Sequence, residues 1–345
     1  MREPKRIGIW QTAFLGDAVL TLPLTQALAA RFPEAELHLF VRAGVDALFR
    51  HQRELASVRG FAKRGAQKSL RAAWGYGREL SHEGFDLWIS AHTSARSALI
   101  AAATGIPRRI GYAAPWFNRL AYTETVGRDF ERLEEIERLM RLAEPLGIGL
   151  PAPKPRLDLD PAARAAAESF RRDHIGRRKV LGLHPGSTWA TKCWPVEYFS
   201  RIVELAAAQG VCSVVFAGPG EEDVAAAVIG GARVEARDVV SLAGKLSLPA
   251  LAAHLSVLDA YLTNDSGPMH LAWVQDVPLV AVFGPTVREL GFFPRGEGST
   301  VLEHDLACRP CGLHGHRACP DGHHDCMRAI APESAWAVLR EKLGV

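Results

Sequence analysis

The chain predicts an α/β protein built from two doubly wound parallel-sheet domains. Three observations carry that expectation. Short apolar runs alternate with amphipathic stretches along the chain, the pattern of βα units whose strands pair in parallel. A proline-rich stretch, IGLPAPKPRLDLDPAA (148–163), interrupts the alternation, and its four prolines cannot occupy a helix interior. Loops carrying Gly, Ser and charged residues follow several strand candidates, where open α/β sheets bind their ligands.

In chain order, RIGIW (6–10) is the first strand candidate. Helical spacing runs from about Asp17 to Arg31, with Pro23 inside it demanding a kink or a late start. ELHLFV (36–41), FDLWIS (85–90) and RIGY (109–112) are further strands, with helices expected at 67–82 and 95–103. A long charged helix, RDFERLEEIERLMRLAEPLG, closes this half. After the proline-rich stretch come KVLGLHPG (179–186), the helix VEYFSRIVELAAAQG, the strand VCSVVFAGPG, and then AYLTND and VPLVAVFGPT. The expected organisation is a first domain over 1–150, a linker over 151–163, a second domain over 164–330 and a terminal helix over 331–345.

Composition narrows the function classes. With 48% hydrophobic and 23% charged residues, the 345-residue chain is globular rather than disordered. A net charge of +3 does not single out nucleic acid as a partner. No apolar run approaches a membrane span. Lys5, Arg6 and the ALAA stretch imitate a signal peptide, but Asp17 interrupts the apolar core that one requires. The expectation is a cytoplasmic protein with reduced thiols.

Three loops concentrate chemistry. TNDSGPMHLA (263–272) places Asn264 and Asp265 at a strand end, Ser266 at a helix cap, Gly267 and Pro268 in the first turn, and His270 just beyond. Free amides at such a start favour an anion, although capping alone would explain part of the pattern. HPGSTWATKCWP (184–195) offers Gly186, Ser187 and Thr188 as backbone and hydroxyl donors, with Lys192 adding a cation before a helix that starts near Pro195. Together these suit a diphosphate, although the order is not that of a P-loop. In FAGPGEEDV (216–224), Glu221 or Glu222 can accept from ribose hydroxyls; both also suit a helix N-terminus. FLGDAVLTLP (14–23) puts Gly16 and Asp17 after the first strand, where Asp17 is either a helix cap or a carboxylate at the site's edge.

FLGDAVLTLP, HPGSTWATKCWP, AGPGEE, LAGKLSLPALAAHLSVLDAYLTNDSGPMHLA and VPLVAVFGPT, in this order, resemble glycosyltransferase family 9, the ADP-heptose:lipopolysaccharide heptosyltransferases, and among them the heptosyltransferase II type. The resemblance implies a GT-B fold, with two Rossmann-like domains facing a central cleft. It implies an ADP-sugar donor held by the second domain, and an acidic lipid-linked inner-core sugar at the first. It places the general base at Asp17 and implies single-displacement inversion. Lys192 and its loop would stabilise the leaving diphosphate, so that catalysis needs no cofactor. Such an acceptor would bring the protein to the periphery of the inner membrane.

The run 59–78 carries Arg59, Lys63 and Arg64 among six basic residues and no acid, and Arg119 lies in the same half. A run of this kind is either a solvated face or a surface that steers an acidic acceptor. The tail CRPCGLHGHRACPDGHHDC gathers Cys308, Cys311, Cys319 and Cys326. Four thiolates suit a structural zinc; an iron–sulfur cluster, disulfide pairing and free thiols are the alternatives. Other readings of the whole chain are a related transferase with another nucleotide sugar or acceptor, and a sugar-nucleotide-binding protein without catalysis. A dehydrogenase lacks its G-x-G-x-x-G loop here. The sequence does not specify an oligomeric state.

Overall fold

The computed structural model describes residues 3–63, 65 and 67–345. It divides into two units, Met1–Asp158 and Leu159–Val345.

The first unit holds β1 (Arg6–Gln11), β2 (Glu36–Arg42), β3 (Ser57–Phe61), β4 (Leu87–Ser90), β5 (Arg108–Tyr112) and β6 (Glu124–Val126). They form one sheet in the order β3-β2-β1-β4-β5-β6, every pair parallel. The second unit holds β7 (Val180–His184), β8 (Cys212–Val215), β9 (Val239–Ser241), β10 (Ala260–Asn264), β11 (Leu279–Phe283) and β12 (Ser299–Glu303). Their order, β12-β11-β10-β7-β8-β9, is the same winding repeated, and again every pair is parallel. This is the Rossmann order, in which the winding reverses between the first and fourth strands. The two reversal points are therefore β1/β4 and β7/β10.

The central strands are continuous apolar runs because helices cover both faces of a parallel sheet. β7, β10 and β11 are buried at every position. In β1, Gly8 has no side chain because Trp88 of β4 lies where one would stand: a Cβ at Gly8 would come 2.4 Å from the indole. Trp10, Phe40, Phe61 and Trp88 pack together as the aromatic core of this unit.

Several expectations shift. β3, β6, β9 and β12, all at or next to sheet edges, were not anticipated, because SVRGF, ETV, VVS and STVLE lack a long apolar run. The first helix is two: Leu15–Leu20, then Leu22–Arg31 with Pro23 in its first turn. The long charged helix is not formed. Residues 128–134 lie outside any helix, Asp129 takes φ +45°, and a short helix Glu135–Met140 runs into a 3₁₀ turn, Arg141–Leu146, holding Pro145.

Residues 152–160 of the stretch expected as a linker, 151–163, take no regular structure. Its last residues, 161–163, start the helix Pro161–Phe170, which Asp160 caps by accepting from Ala162 N and Ala163 N. The preceding stretch is tied to the first unit. Gln26 and Gln52 each exchange two side-chain hydrogen bonds with the backbone of residues 154–158. Arg53 forms a two-pronged ion pair with Asp158. The terminal helix Pro332–Leu343 buries Ala335, Leu339 and Leu343 in the core of the second unit.

Candidate functional site

Each unit places polar groups at its own reversal point, and each is described by itself.

In the second unit, the loop after β7 reaches Lys192 through the 3₁₀ turn Ala190–Lys192. Its ammonium pairs with the Asp265 carboxylate just beyond β10, and both residues are buried. The Thr286 hydroxyl, beyond β11, donates to the same Asp265 oxygen at 2.7 Å. Strand ends β7, β10 and β11 thus converge on one buried ion pair. His270 stands beside it; burial, the largest influence, lowers its imidazole to about 4, so the ring is neutral at physiological pH.

Asn264, expected at the donor, is bonded within the protein. It is fully buried, accepts from Trp194 N at 3.0 Å and donates to the Pro185 carbonyl at 2.8 Å. Each end of its amide thus makes one bond, and together they staple the 185–194 loop to β10. Ser266 occupies the N-cap position of the helix Gly267–Trp273, but its side chain caps nothing; its hydroxyl lies 3.3 Å from that of Thr263. Gly267 and Pro268 form the half-buried first turn.

Ser187 is half-buried and Thr188 exposed, while Gly186 is buried under a carboxylate. A Cβ at Gly186 would come 2.4 Å from the carboxyl carbon of Glu221, so only glycine admits this contact. Glu221 also accepts from Gly218 N at 2.9 Å, and its carboxylate lies 3.9 Å from His184 Nε2. Glu222 is exposed, accepts from Gly220 N at 2.8 Å and lies against Gly244. Glu221, rather than Glu222, therefore belongs to the Lys192 loop.

In the first unit, Asp17 sits in the first turn after β1 and accepts from Phe14 N at 3.0 Å, so it does act as a local cap. Gly16 beside it is buried. Asp17 is half-buried, and loss of surrounding water, the largest influence, raises its carboxyl above the ordinary value; the Phe14 amide, Arg128 and Lys63 pull it back. Lys63, beyond β3, donates to the Thr12 carbonyl at 2.7 Å. His92, beyond β4, lies 3.0 Å from the Thr12 hydroxyl. Burial, then Lys63, Arg128 and Arg96, lower His92 to about 4. Arg128, beyond β6, donates to Glu135 at 2.6 Å and lies over the Tyr112 ring. The ends of four strands thus assemble a carboxylate among cations.

The basic residues divide. Lys63 joins the Asp17 group. Arg59 does not: it is locked to Glu83 by two hydrogen bonds of 2.7 and 2.6 Å, lies over Phe40 and is tied up within the sheet. Arg119 is exposed on the short helix Asn118–Ala121, between exposed Trp116 and Leu120. Arg64 lies outside the described residues.

The cysteines do not assemble as four ligands. All six are thiols, and Cys326 is buried in the core of the second unit against Gly284. Among the described residues, the ligand atoms that approach within 4.8 Å of one another belong to Cys308, Asp321 and His323.

Thr286, His92, Arg128 and Glu135 were missed by sequence reasoning. His92 was within reach, two residues beyond a recognised strand. Arg128 was hidden because β6 is only three residues long and its continuation imitates a helix.

Two Rossmann-order units, each with polar residues gathered at its reversal point, define an α/β protein of the GT-B type. The chain belongs to glycosyltransferase family 9 (heptosyltransferase), whose model matches residues 73–317. It is 34% identical over 158 residues to lipooligosaccharide heptosyltransferase 2 of Campylobacter jejuni serotype O:2, a match covering 45% of this chain and 48% of that one. The chain thus spans about half the length of that relative. It is 25% identical over 346 residues to lipooligosaccharide heptosyltransferase 2 of Haemophilus influenzae, covering 96% of this chain and 97% of the relative. The solved ADP-heptose LPS heptosyltransferase II of E. coli shares the fold at TM-score 0.82 and 20% identity, over 98% of each chain. Asp17 and Lys63 lie ahead of the region that the family model matches, whereas the Lys192–Asp265–Thr286 group lies inside it.

Among the described residues, no helix is long and apolar enough to cross a membrane.

Proposed function

We propose that this chain is an inverting transferase that moves heptose from ADP-heptose to an acidic, lipid-linked lipopolysaccharide inner-core acceptor. Family membership supports the reaction class, and the curated relatives are named for heptosyl transfer. The single observation that carries the mechanism is Asp17: a carboxyl held above its ordinary value by loss of surrounding water, beside Lys63 and Arg128.

A general base works best with a pKa drawn toward the operating pH, and loss of surrounding water shifts Asp17 in that direction. In the proposed step, Asp17 takes the proton from the acceptor hydroxyl as its oxygen attacks the anomeric carbon. ADP departs from the opposite face, which inverts that centre. Lys63 and Arg128 meet the negative charges of the acceptor.

On the donor side, Lys192 takes the diphosphate, exchanging Asp265 for phosphate oxygens. Gly186, Ser187 and Thr188 add backbone and hydroxyl donors. Asp265, released from Lys192 but still held by Thr286, accepts from sugar hydroxyls. Glu221 accepts from the ribose. Protein charge meets the leaving group in this scheme, and no cofactor takes part.

The test is a donor screen with ADP-heptose, other ADP-sugars and UDP-sugars, scored by nucleotide release with a panel of acidic lipid-linked inner-core acceptors and by thermal shift without one. ADP-heptose alone should support turnover. Turnover with UDP-sugars only would overturn the donor assignment. Binding without turnover of any donor would favour a non-catalytic sugar-nucleotide-binding protein.

A further inference from the structure

The segment between β12 and the helix Pro332–Leu343 has no place in the transfer chemistry, yet it grips the Lys192 site from two sides. Thr191 donates to the His316 carbonyl through its amide at 3.2 Å and its hydroxyl at 3.1 Å. His316 N returns a bond to the Thr191 hydroxyl at 2.7 Å, and His324 Nε2 lies 2.8 Å from the Thr191 carbonyl. The rings of Trp189 and His314 are stacked, and the backbone at Gly315 rests on Lys192: a Cβ there would come 3.1 Å from Lys192 Cγ. On the other side, Cys311 N donates to the Pro285 carbonyl at 3.1 Å, and Arg309 donates to the Gly284 and Thr286 carbonyls. His316 Nε2 lies 3.0 Å from the Cys311 carbonyl, joining the two grips.

A clasp must itself be held, and apolar contact holds this one only near its start, where half-buried Leu306 packs against the core of the second unit. Between residues 304 and 324, Gly315 is the one buried residue, and Leu313 is 65% exposed. Such a stretch cannot offset the entropy of its own ordering by hydrophobic contact. What it does have is a ligand set closing the loop. Cys308 Sγ and His323 Nε2 are 3.9 Å apart, and His323 Nε2 and the Asp321 carboxylate are 3.8 Å apart. His323 Nδ1 accepts from Asp325 N at 3.0 Å, and the Asp325 carboxylate lies 3.4 Å from the same nitrogen; metal binding at Nε2 would move the ring proton to Nδ1, where that carboxylate can accept it.

We propose that Cys308, Asp321 and His323 bind a zinc-type divalent cation, and that this ion locks the 308–324 loop as a clasp that positions Lys192. Thiolate, imidazole and carboxylate together suit a borderline-soft ion, with the fourth position left to Cys311 or water. The ion is structural and touches no reacting atom. The effect on donor binding rests on Lys192 as the diphosphate ligand; the metal and the clasp do not.

The test uses the full chain purified without chelator. Elemental analysis should find one zinc per chain, and cobalt substitution should give thiolate-to-metal absorption that Cys308→Ser abolishes. Cys308→Ser and His323→Ala should lose the ion, while Cys212→Ser, remote from the loop, should keep it. Stripping the ion should speed hydrogen exchange at Thr191 and Lys192 and weaken ADP binding by about tenfold, read by calorimetry. A chain that holds no ion and takes up neither zinc nor cobalt, or whose loop thiols are all paired as disulfides, overturns the site. Ion loss with unchanged exchange at 191–192 overturns the clasp. If exchange quickens but the metal-loaded wild type does not bind ADP, the donor reading fails and the clasp stands.

Discussion

Lys192 and Asp265, 73 residues apart in the chain, form a buried ion pair at the reversal point of the second sheet, with the Thr286 hydroxyl on the same carboxylate oxygen. A buried pair of this kind is a weak source of stability but is costly to break from one side. Lys192→Ala should destabilise the fold by about 3 kcal/mol, because Asp265 is left charged with only a hydroxyl partner. ADP affinity should fall as well. The double variant Lys192→Met with Asp265→Leu should recover most of the stability and none of the affinity. Chemical denaturation and calorimetry on the same samples separate the two effects; unchanged ADP affinity in Lys192→Ala would remove Lys192 from the phosphate site.

Asp17 should behave oppositely. Its carboxyl pKa is raised in the folded state, mainly by loss of surrounding water. Its contribution to stability is therefore fully present below the unfolded value and is lost as pH rises through the folded one. At neutral pH the ionised group opposes folding. Asp17→Asn removes that opposition and can still accept from Phe14 N. The melting temperature should hold or rise, while turnover falls by about 100-fold or more. The acid limb of the wild-type pH–rate profile should lie above the ordinary carboxylate value. Near-normal turnover would leave Asp17 only its capping role.

Glu135 is 1% exposed and pairs with Arg128 at 2.6 Å and with Arg138, itself fully buried, at 3.3 Å. Glu135→Gln should cost about 3 kcal/mol, because Arg138 loses its counter-charge where water cannot replace it. Urea denaturation reads this directly. A loss no larger than that of a surface substitution would show that Arg138 finds enough compensation in the Phe130 carbonyl, to which it donates at 3.0 Å.

Asn264→Ala removes two buried hydrogen bonds and should destabilise by about 2 kcal/mol. If Asn264 is a staple, stability and ADP affinity fall together as the 185–194 loop loosens. A loss of affinity with stability intact would return Asn264 to the donor site as a direct ligand.

Much of the fold was legible from local pattern. RIGIW, FDLWIS, KVLGLHPG and AYLTND announce central strands because both faces of a parallel sheet are covered and the run must be apolar throughout. Pro23 marked the break after Thr21. Edge strands escaped notice because a half-covered strand such as STVLE keeps polar residues. The charged stretch 128–147 misled because helical spacing of charge is compatible with a solvated helix; here Glu135 and Arg138 are buried instead, and the chain bends to bury them.

The sequence by itself determined the succession of βα units, the proline-marked junction and the chemical content of each strand-end loop. Those properties depend on residues within a turn or two of one another. Tertiary structure alone decided which of these groups meet: Asn264 with the 185–194 loop, Asp265 with Lys192, Glu221 with Gly186, Arg59 with Glu83, and Asp321 and His323 with Cys308, where a four-thiolate zinc site was one of several readings. Each of these is settled by a contact that local spacing cannot specify, 125 residues apart for Thr191 and His316. Which side chains meet there depends on how the sheets wind and on which polar groups must find partners once water is gone.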